Sequence, residues 1–223
     1  MREIIALVVV LTPLSWIVRL TAPLFTLLAL VAVAGRMRSR WMMAAGLALL
    51  GAVTVRLVAN PAVLDYHRVI RPHLLSWVLY GYGVPVGALA VASRQFDRVD
   101  DPRPRIGLEL AAIAVAFVGI NVFVSHAFAG GESLALLDTS LTARMFRTLG
   151  WTAMGVALIG LRGPSWRAAI GAGLLGLGAL KLGVSDFWAL DALSRAIELL
   201  GVAGCWFAAA ALLQLRARRR DGD

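Results

Sequence analysis

Charged residues are scarce in this sequence of 223 residues: they make up 16% of it, against 60% hydrophobic residues. Soluble domains typically contain about 25% charged and about 45–50% apolar residues, so the composition excludes an ordinary water-soluble enzyme. Cysteine is nearly absent, and Cys205 alone excludes an intramolecular disulfide framework, a cysteine zinc site and a CxxC redox motif. The sequence also lacks a Walker A motif for ATP use.

Lysine is almost absent as well, because Lys181 is the single lysine among 22 basic residues. Arginine therefore carries nearly all of the formal net charge of +9. In a membrane chain an arginine excess usually marks cytoplasmic loops. We therefore expect no nucleic-acid partner, and we expect membrane lipids and other membrane proteins instead.

Long apolar runs dominate the chain. A spanning helix needs about 20 mostly apolar residues, and charges or Pro/Gly clusters separate eight such runs. The predicted spans are 4–18, 19–35, 41–58, 73–93, 106–128, 142–161, 166–183 and 195–215. A cleaved signal peptide is the alternative for the first span, but no small-residue cleavage site follows it.

Arginine-rich segments alternate with segments poor in basic residues. Cytoplasmic loops hold the lysine and arginine excess, so the positions of these segments predict the orientation. The predicted inside segments are 36–40, 94–105, 162–167 and 216–220, and the predicted outside segments are 59–72, 129–141 and 184–194. Both termini are then cytoplasmic, and the expected location is the cell inner membrane.

An internal repeat supports the count of eight. A shift of 125 residues aligns 19–60 with 144–185 without a gap and with twelve identities. The alternative is two unrelated apolar hairpins of similar composition. With the repeat, the predicted fold is all-α: a polytopic integral membrane helical bundle of about eight spans, built as two parallel four-helix repeats. The predicted parts are a first half (1–93), a charged cytoplasmic linker (94–105), a second half (106–215) and a basic cytoplasmic tail (216–223).

Polar residues inside the apolar spans gather near the predicted outer ends of the helices. A charge in hydrocarbon is costly unless it is paired or solvated, which suggests an extracytoplasmic polar chamber. Interfacial anchors and snorkelling side chains are the equally weighted alternative. The candidate ligand-binding residues are Arg56, His126, Lys181, Asp186, Arg195 and Glu198. The spacings Lys181-x4-Asp186 and Arg195-x2-Glu198 predict ion pairs.

Two glycine-rich motifs allow more than one interpretation. The segment 80–85 (YGYGVP) either breaks a helix beside a cavity or marks close helix packing, and we expect packing. Gly171, Gly173, Gly176 and Gly178 predict a face of small residues against a neighbouring helix. The histidines fit no recognised ligand spacing, so no metal and no cofactor are expected.

The order of four motifs resembles a large bacterial family of predicted membrane proteins of unknown function. The motifs are 56–61 (RLVANP), 79–85 (LYGYGVP), Leu180-Lys181 with Asp186, and Arg195 before the last span. The chain is similar to the last part of the many-span region in long members. It departs from them in two ways. The N-terminal coiled coil is missing, and residues 124–130 read VSHAFAG, where a charged segment before Phe-His-Gly would be expected. The resemblance implies a fold and a location, but no reaction.

Three function classes follow. The first is a transport-like or lipid/glycan-handling protein that binds a polar or anionic group through Arg56, Lys181 and Arg195 in the outer chamber. The second is a non-catalytic structural or accessory subunit of a membrane envelope complex. An enzyme with His126 or another histidine as general base is the least favoured class, because no nucleophile or metal motif accompanies it. A proton-coupled mechanism would depend on Glu109 and Glu198.

Overall fold

Every element of the described chain is a helix. The computed structural model describes residues 48, 51–52, 54–55, 79–96, 102–128, 140–161 and 163–220. The helices are α1 (Val84–Gln95), α2 (Arg103–Phe128), α3 (Leu141–Gly160), α4 (Ser165–Lys181), α5 (Phe187–Ala189) and α6 (Ala192–Arg220). Two π-helical segments continue into them, Leu79–Gly83 before α1 and Leu182–Asp186 between α4 and α5. This confirms the predicted all-α class for these residues.

Within the described ranges, three helices are long and apolar enough to cross a membrane: Arg103–Ser125, Ser165–Ala189 and Ala192–Arg218. Helix α3 forms where the span 142–161 is expected, but it is not among the three. Its first two turns carry Arg144 and Arg147, which lower the mean hydropathy of this helix. The repeat prediction for 19–60 lies almost entirely outside the described residues.

The described part of the chain divides into two compact units, with the boundary between Gly119 and Ile120 of α2. Within the first unit, the buried Tyr82 side chain packs directly on Gly119 of α2. A Cβ at Gly119 would lie 2.9 Å from the Tyr82 Cβ. The part of the 80–85 motif that is described thus serves close helix packing. In the same unit Arg105 Nε donates to Glu109 Oε1 at 3.0 Å, one turn along α2.

The second unit holds α3, α4 and α6. Ser140 starts α3 by accepting the Ala143 N–H on its hydroxyl at 3.2 Å, as N-cap serines commonly do. After Gly160 the chain becomes extended at Leu161, and Pro164 precedes α4 in the same conformation. The short connection makes α3 and α4 antiparallel neighbours, and α6 packs mainly on α3.

Helices α3 and α4 approach closely at two glycines. A Cβ on Gly155 would lie 2.7 Å from the Gly171 carbonyl oxygen, and a Cβ on Gly171 would lie 2.6 Å from that of Gly155. Gly178 meets the Thr152 side chain in the same way, whereas Gly173 and Gly176 face open space. The predicted face of four glycines is therefore wrong in part, since α4 turns just two of them towards α3.

Apolar side chains fill the end of the unit that lies near the α3–α4 connection. Ile159, Leu175 and Ala209 are almost fully buried there, and Cys205 packs at their edge. Arg216 donates from Nη2 to the Leu161 carbonyl at this end. The buried polar side chains of this unit lie towards the opposite end.

Candidate functional site

Four polar side chains from three helices and the π-helical segment after α4 meet inside the second unit. We call Thr148, Lys181, Asp186 and Glu198 the charge cluster. Thr148 and Glu198 lie about two turns, roughly 10 Å, from the first residues of α3 and α6, and Lys181 lies about as far from the end of α5. The cluster thus occupies one level of the unit, between helices that are mostly apolar.

The π-helical segment brings Asp186 to Lys181. In an α-helix, residues five apart lie about 140° from each other around the axis, so their side chains would point in different directions. A π-turn closes with a hydrogen bond over five residues, and here the Phe187 N–H donates to the Leu182 carbonyl. The wider turn allows Lys181 and Asp186 to form an ion pair.

The Lys181 ammonium has an acceptor for each of its three protons. Nζ donates to Asp186 Oδ2, to Thr148 Oγ1 at 2.7 Å and to the Arg144 carbonyl at 3.1 Å. The Trp151 ring centroid lies 5.9 Å from Nζ, within the range of a cation–π contact. The expected pairing with Asp186 is therefore confirmed, and in this arrangement Lys181 has no proton left for an anionic ligand.

The cluster contains one more carboxyl group than it has ammonium groups. Asp186 is fully buried, and its Oδ2 also accepts from the Thr148 hydroxyl at 2.7 Å. Glu198 is fully buried as well and interacts electrostatically with Asp186 and Lys181. Within the described part of the chain, neither Glu198 oxygen has a hydrogen-bond partner, and nor does Asp186 Oδ1. A buried carboxyl group is normally hydrogen-bonded, so Glu198 is the exceptional member.

Arg195 does not pair with Glu198, so that predicted ion pair is wrong. Its Nη2 donates to the Leu190 carbonyl at 2.8 Å, and its guanidinium lies 4.5 Å from the Phe187 ring centroid. These contacts hold the guanidinium near the connection before α6. In that connection Asp191 accepts the Ser194 N–H at 3.3 Å, and hydrogen bonding to Ser194 lowers the pKa of this exposed carboxyl.

Two further polar contacts join α2 to α3 beside the cluster. Trp151 Nε1 donates to Asn121 Oδ1 at 3.1 Å, and Arg147 Nη2 donates to Ser125 Oγ at 2.6 Å. The two acceptors are one turn apart on α2, and the two donors are one turn apart on α3. The two bonds therefore form one stripe between antiparallel segments. This stripe orients α3, and with it Thr148.

The structure brings together Lys181, Asp186 and Glu198 among the six predicted ligand-binding residues. Arg195 lies one turn before Glu198 with separate contacts, while Arg56 and the His126 side chain lie outside the described residues. Thr148 was not predicted, although Arg144, Thr148 and Thr152 recur every four residues along one face of α3. That polar stripe on an apolar helix is the signal that would have identified it.

The cluster's chemistry follows from its charge count. Two ionised carboxylates and one ammonium leave the cluster with one net negative charge, which a proton or a further cation would balance, because burying an unbalanced charge is costly. No group of three His, Cys, Asp or Glu side chains in the described ranges is arranged to hold a metal ion. The arrangement is therefore suited to exchange of a proton or to a change of ion-pair partner.

Comparison of the chain with models of protein families, with curated proteins and with solved structures finds no match.

Proposed function

We propose that this chain is a transport-type integral membrane protein that works through the charge cluster of its second half. The observation that carries the proposal is Glu198, a fully buried carboxyl group without a hydrogen-bond partner among the described residues, beside the Lys181–Asp186 pair. Ionisable residues within membrane helices are costly, and they commonly mark ion pathways, substrate sites and proton relays.

A purely structural ion pair does not need a second carboxyl group. Lys181 already has three acceptors, so Glu198 adds burial cost without adding a bond to the ammonium. Glu109 provides a contrast, since its carboxylate is bonded to Arg105 on its own helix. The unbalanced charge at Glu198 therefore favours a group that changes its proton or its partner during function.

The eight-span arrangement is part of this proposal. We place two parallel four-span halves in the cell inner membrane, with the arginine-rich segments on the inside. Both termini then lie in the cytoplasm. The cluster lies about 10 Å from the ends of α3, α5 and α6 that are opposite Arg216. With this topology, that level of the unit is on the extracytoplasmic side.

Reporter tags that are active on one side of the membrane test this topology. Fused at residue 1 and at residue 223, both tags should report the cytoplasm, because eight spans return the chain to the side on which it began. A tag inserted at 135, in the predicted outside segment, serves as the opposite control. An N-terminus outside with a C-terminus inside would contradict the count of eight.

Charge movement tests the transport function directly. We expect vesicles of phosphatidylethanolamine and phosphatidylglycerol that contain the purified chain to give a transient current on a supported membrane. The probes are a pH step, a sodium step and a step of sn-glycerol 3-phosphate, a soluble analogue of a lipid headgroup. Glu198→Gln should reduce the current at least about tenfold, since the side chain keeps its size but can no longer change its charge.

Glu109 is the other carboxyl group that the sequence offers for proton coupling. Because Arg105 on the same helix bonds to its carboxylate, our proposal leaves Glu109 out of the proton path, and Glu109→Gln is the matched control. This variant should keep the wild-type current. If no probe produces a current above that of protein-free vesicles, the transport function is wrong. The accessory-subunit function would then be favoured, with the chain binding lipids and another membrane protein.

A further inference from the structure

Glu198 lies among charged and polar groups from every helix packed against α6. Lys181 on α4 and Asp186 on the π-helical segment interact with it electrostatically. Helix α3 contributes Thr148, with Arg144 one turn before it, while Arg147 on the same helix is bonded to Ser125 of α2. On α6 itself, Arg195 lies one turn before Glu198, over Phe187.

A metal cation is poorly suited to neutralise the negative charge of the extra carboxylate. The Lys181 ammonium is already in contact with Asp186 and would repel a second cation at this level. The described residues also lack a group of three His, Cys, Asp or Glu side chains placed around a common point. A proton needs just one oxygen. Neither Glu198 oxygen has a described partner in good hydrogen-bond geometry, although Thr148 and Asp186 lie close enough to act on the carboxyl group.

We propose that Glu198 is the proton-binding residue of this protein and that Lys181 changes partner between Asp186 and Glu198 as that proton leaves and returns. The inference rests on the transport function proposed above and names its ion. It also explains why the cluster has one more carboxyl group than it has ammonium groups, which a fixed ion pair does not explain.

The step balances without any other reactant. The O–H bond of the Glu198 carboxyl breaks, its electron pair stays on the oxygen, and the proton passes to water. The resulting carboxylate competes with Asp186 for the Lys181 ammonium, which moves by rotation of its side chain while Thr148 remains beside it. Proton binding reverses the exchange and restores the Lys181–Asp186 pair seen here.

Infrared difference spectroscopy of the purified full-length protein tests proton binding without requiring transport. Between acidic and alkaline buffer, the wild type should lose the carbonyl band of a protonated carboxyl group. Glu198→Gln should lack this change and release about one proton fewer per chain across the same pH step. Glu109→Gln should keep both signals.

Asp186→Asn tests the exchange of partners. With Asp186 neutral, the Lys181 ammonium is available to a Glu198 carboxylate, and an opposite charge at this range favours ionisation by about 1–3 pH units. The band should therefore disappear at a pH lower by about that amount. Thermal unfolding of each variant in detergent checks that it is folded, since both substitutions keep the side-chain size.

The outcomes separate this inference from the transport function. A wild type without the band, or a band that persists in Glu198→Gln, overturns proton binding at Glu198. An unchanged pH of disappearance in Asp186→Asn overturns the exchange of Lys181. A band that depends on Glu198 in a protein that produces no current would leave the proton site in place and overturn the transport function alone.

Discussion

Replacing Lys181 with methionine should lower the free energy of unfolding by about 3–5 kcal/mol, the usual cost of removing one partner from a buried ion pair. Asp186 is fully buried and would keep just the hydrogen bond from Thr148. The loss is much larger than that of an exposed ion pair because little water can reach the stranded carboxylate. Thermal unfolding in detergent and the yield of folded protein measure it.

The double variant Lys181→Met with Asp186→Asn should recover most of this loss, because it removes the unpaired charge while keeping similar side-chain volumes. Arg218→Met is the matched control, since it removes an exposed cation from the end of α6 and should change stability by less than about 0.5 kcal/mol. Wild-type stability of Lys181→Met would contradict a structural ion pair. Failure of Asp186→Asn to rescue the single variant would contradict the stranded charge as its cause.

Gly171→Leu should lower the free energy of unfolding by about 3 kcal/mol or more, at the upper end of what overpacking costs. The first added carbon alone would lie 2.6 Å from the Gly155 carbonyl oxygen. That oxygen belongs to the backbone of α3, so no side-chain rotation can relieve the overlap, and the two helices must separate. Separation would also draw Thr148 away from Lys181, and the unfolding temperature should fall accordingly.

Gly173→Leu makes the same chemical change two residues further along α4, where nothing lies within 4 Å of an added Cβ. It should leave stability unchanged or raise it by up to about 1 kcal/mol, because leucine favours a helix over glycine. Equal losses in the two variants would show that the effect arises from leucine in this helix rather than from contact with α3.

Several features of the second unit were predictable from local sequence. The apolar runs place helices at 106–128, 142–161, 166–183 and 195–215, and α2, α3, α4 and α6 form there. The expected end at 183 was too early, since the helical path continues through the π-helical segment to Ala189. Gly183 and Ser185 weaken the apolar pattern there, but they do not interrupt a helix that packs on α3.

The pairing of charges was predictable in one case and not in the other. Lys181 and Asp186 pair because a π-turn changes the direction of Asp186, whereas Arg195 and Glu198 have ideal helical spacing and do not pair. Spacing determines which side chains lie on one face, but the neighbouring groups determine where each side chain is most stable. For Arg195 these groups are the Leu190 carbonyl and the Phe187 ring.

Composition and the length of the apolar runs by themselves determined that the described part of this chain consists of helices, three of them apolar and long enough to cross a membrane, because hydrophobicity and helix length are properties of single segments. Only the tertiary structure decided that Thr148 joins the cluster, that two of four glycines on α4 meet α3, and that Glu198 is buried without a partner among the described residues. These features depend on the rotation of each helix about its axis. That rotation is determined by close packing at Gly155 and Gly171, which joins two different helices, and by the local π-turn after Lys181.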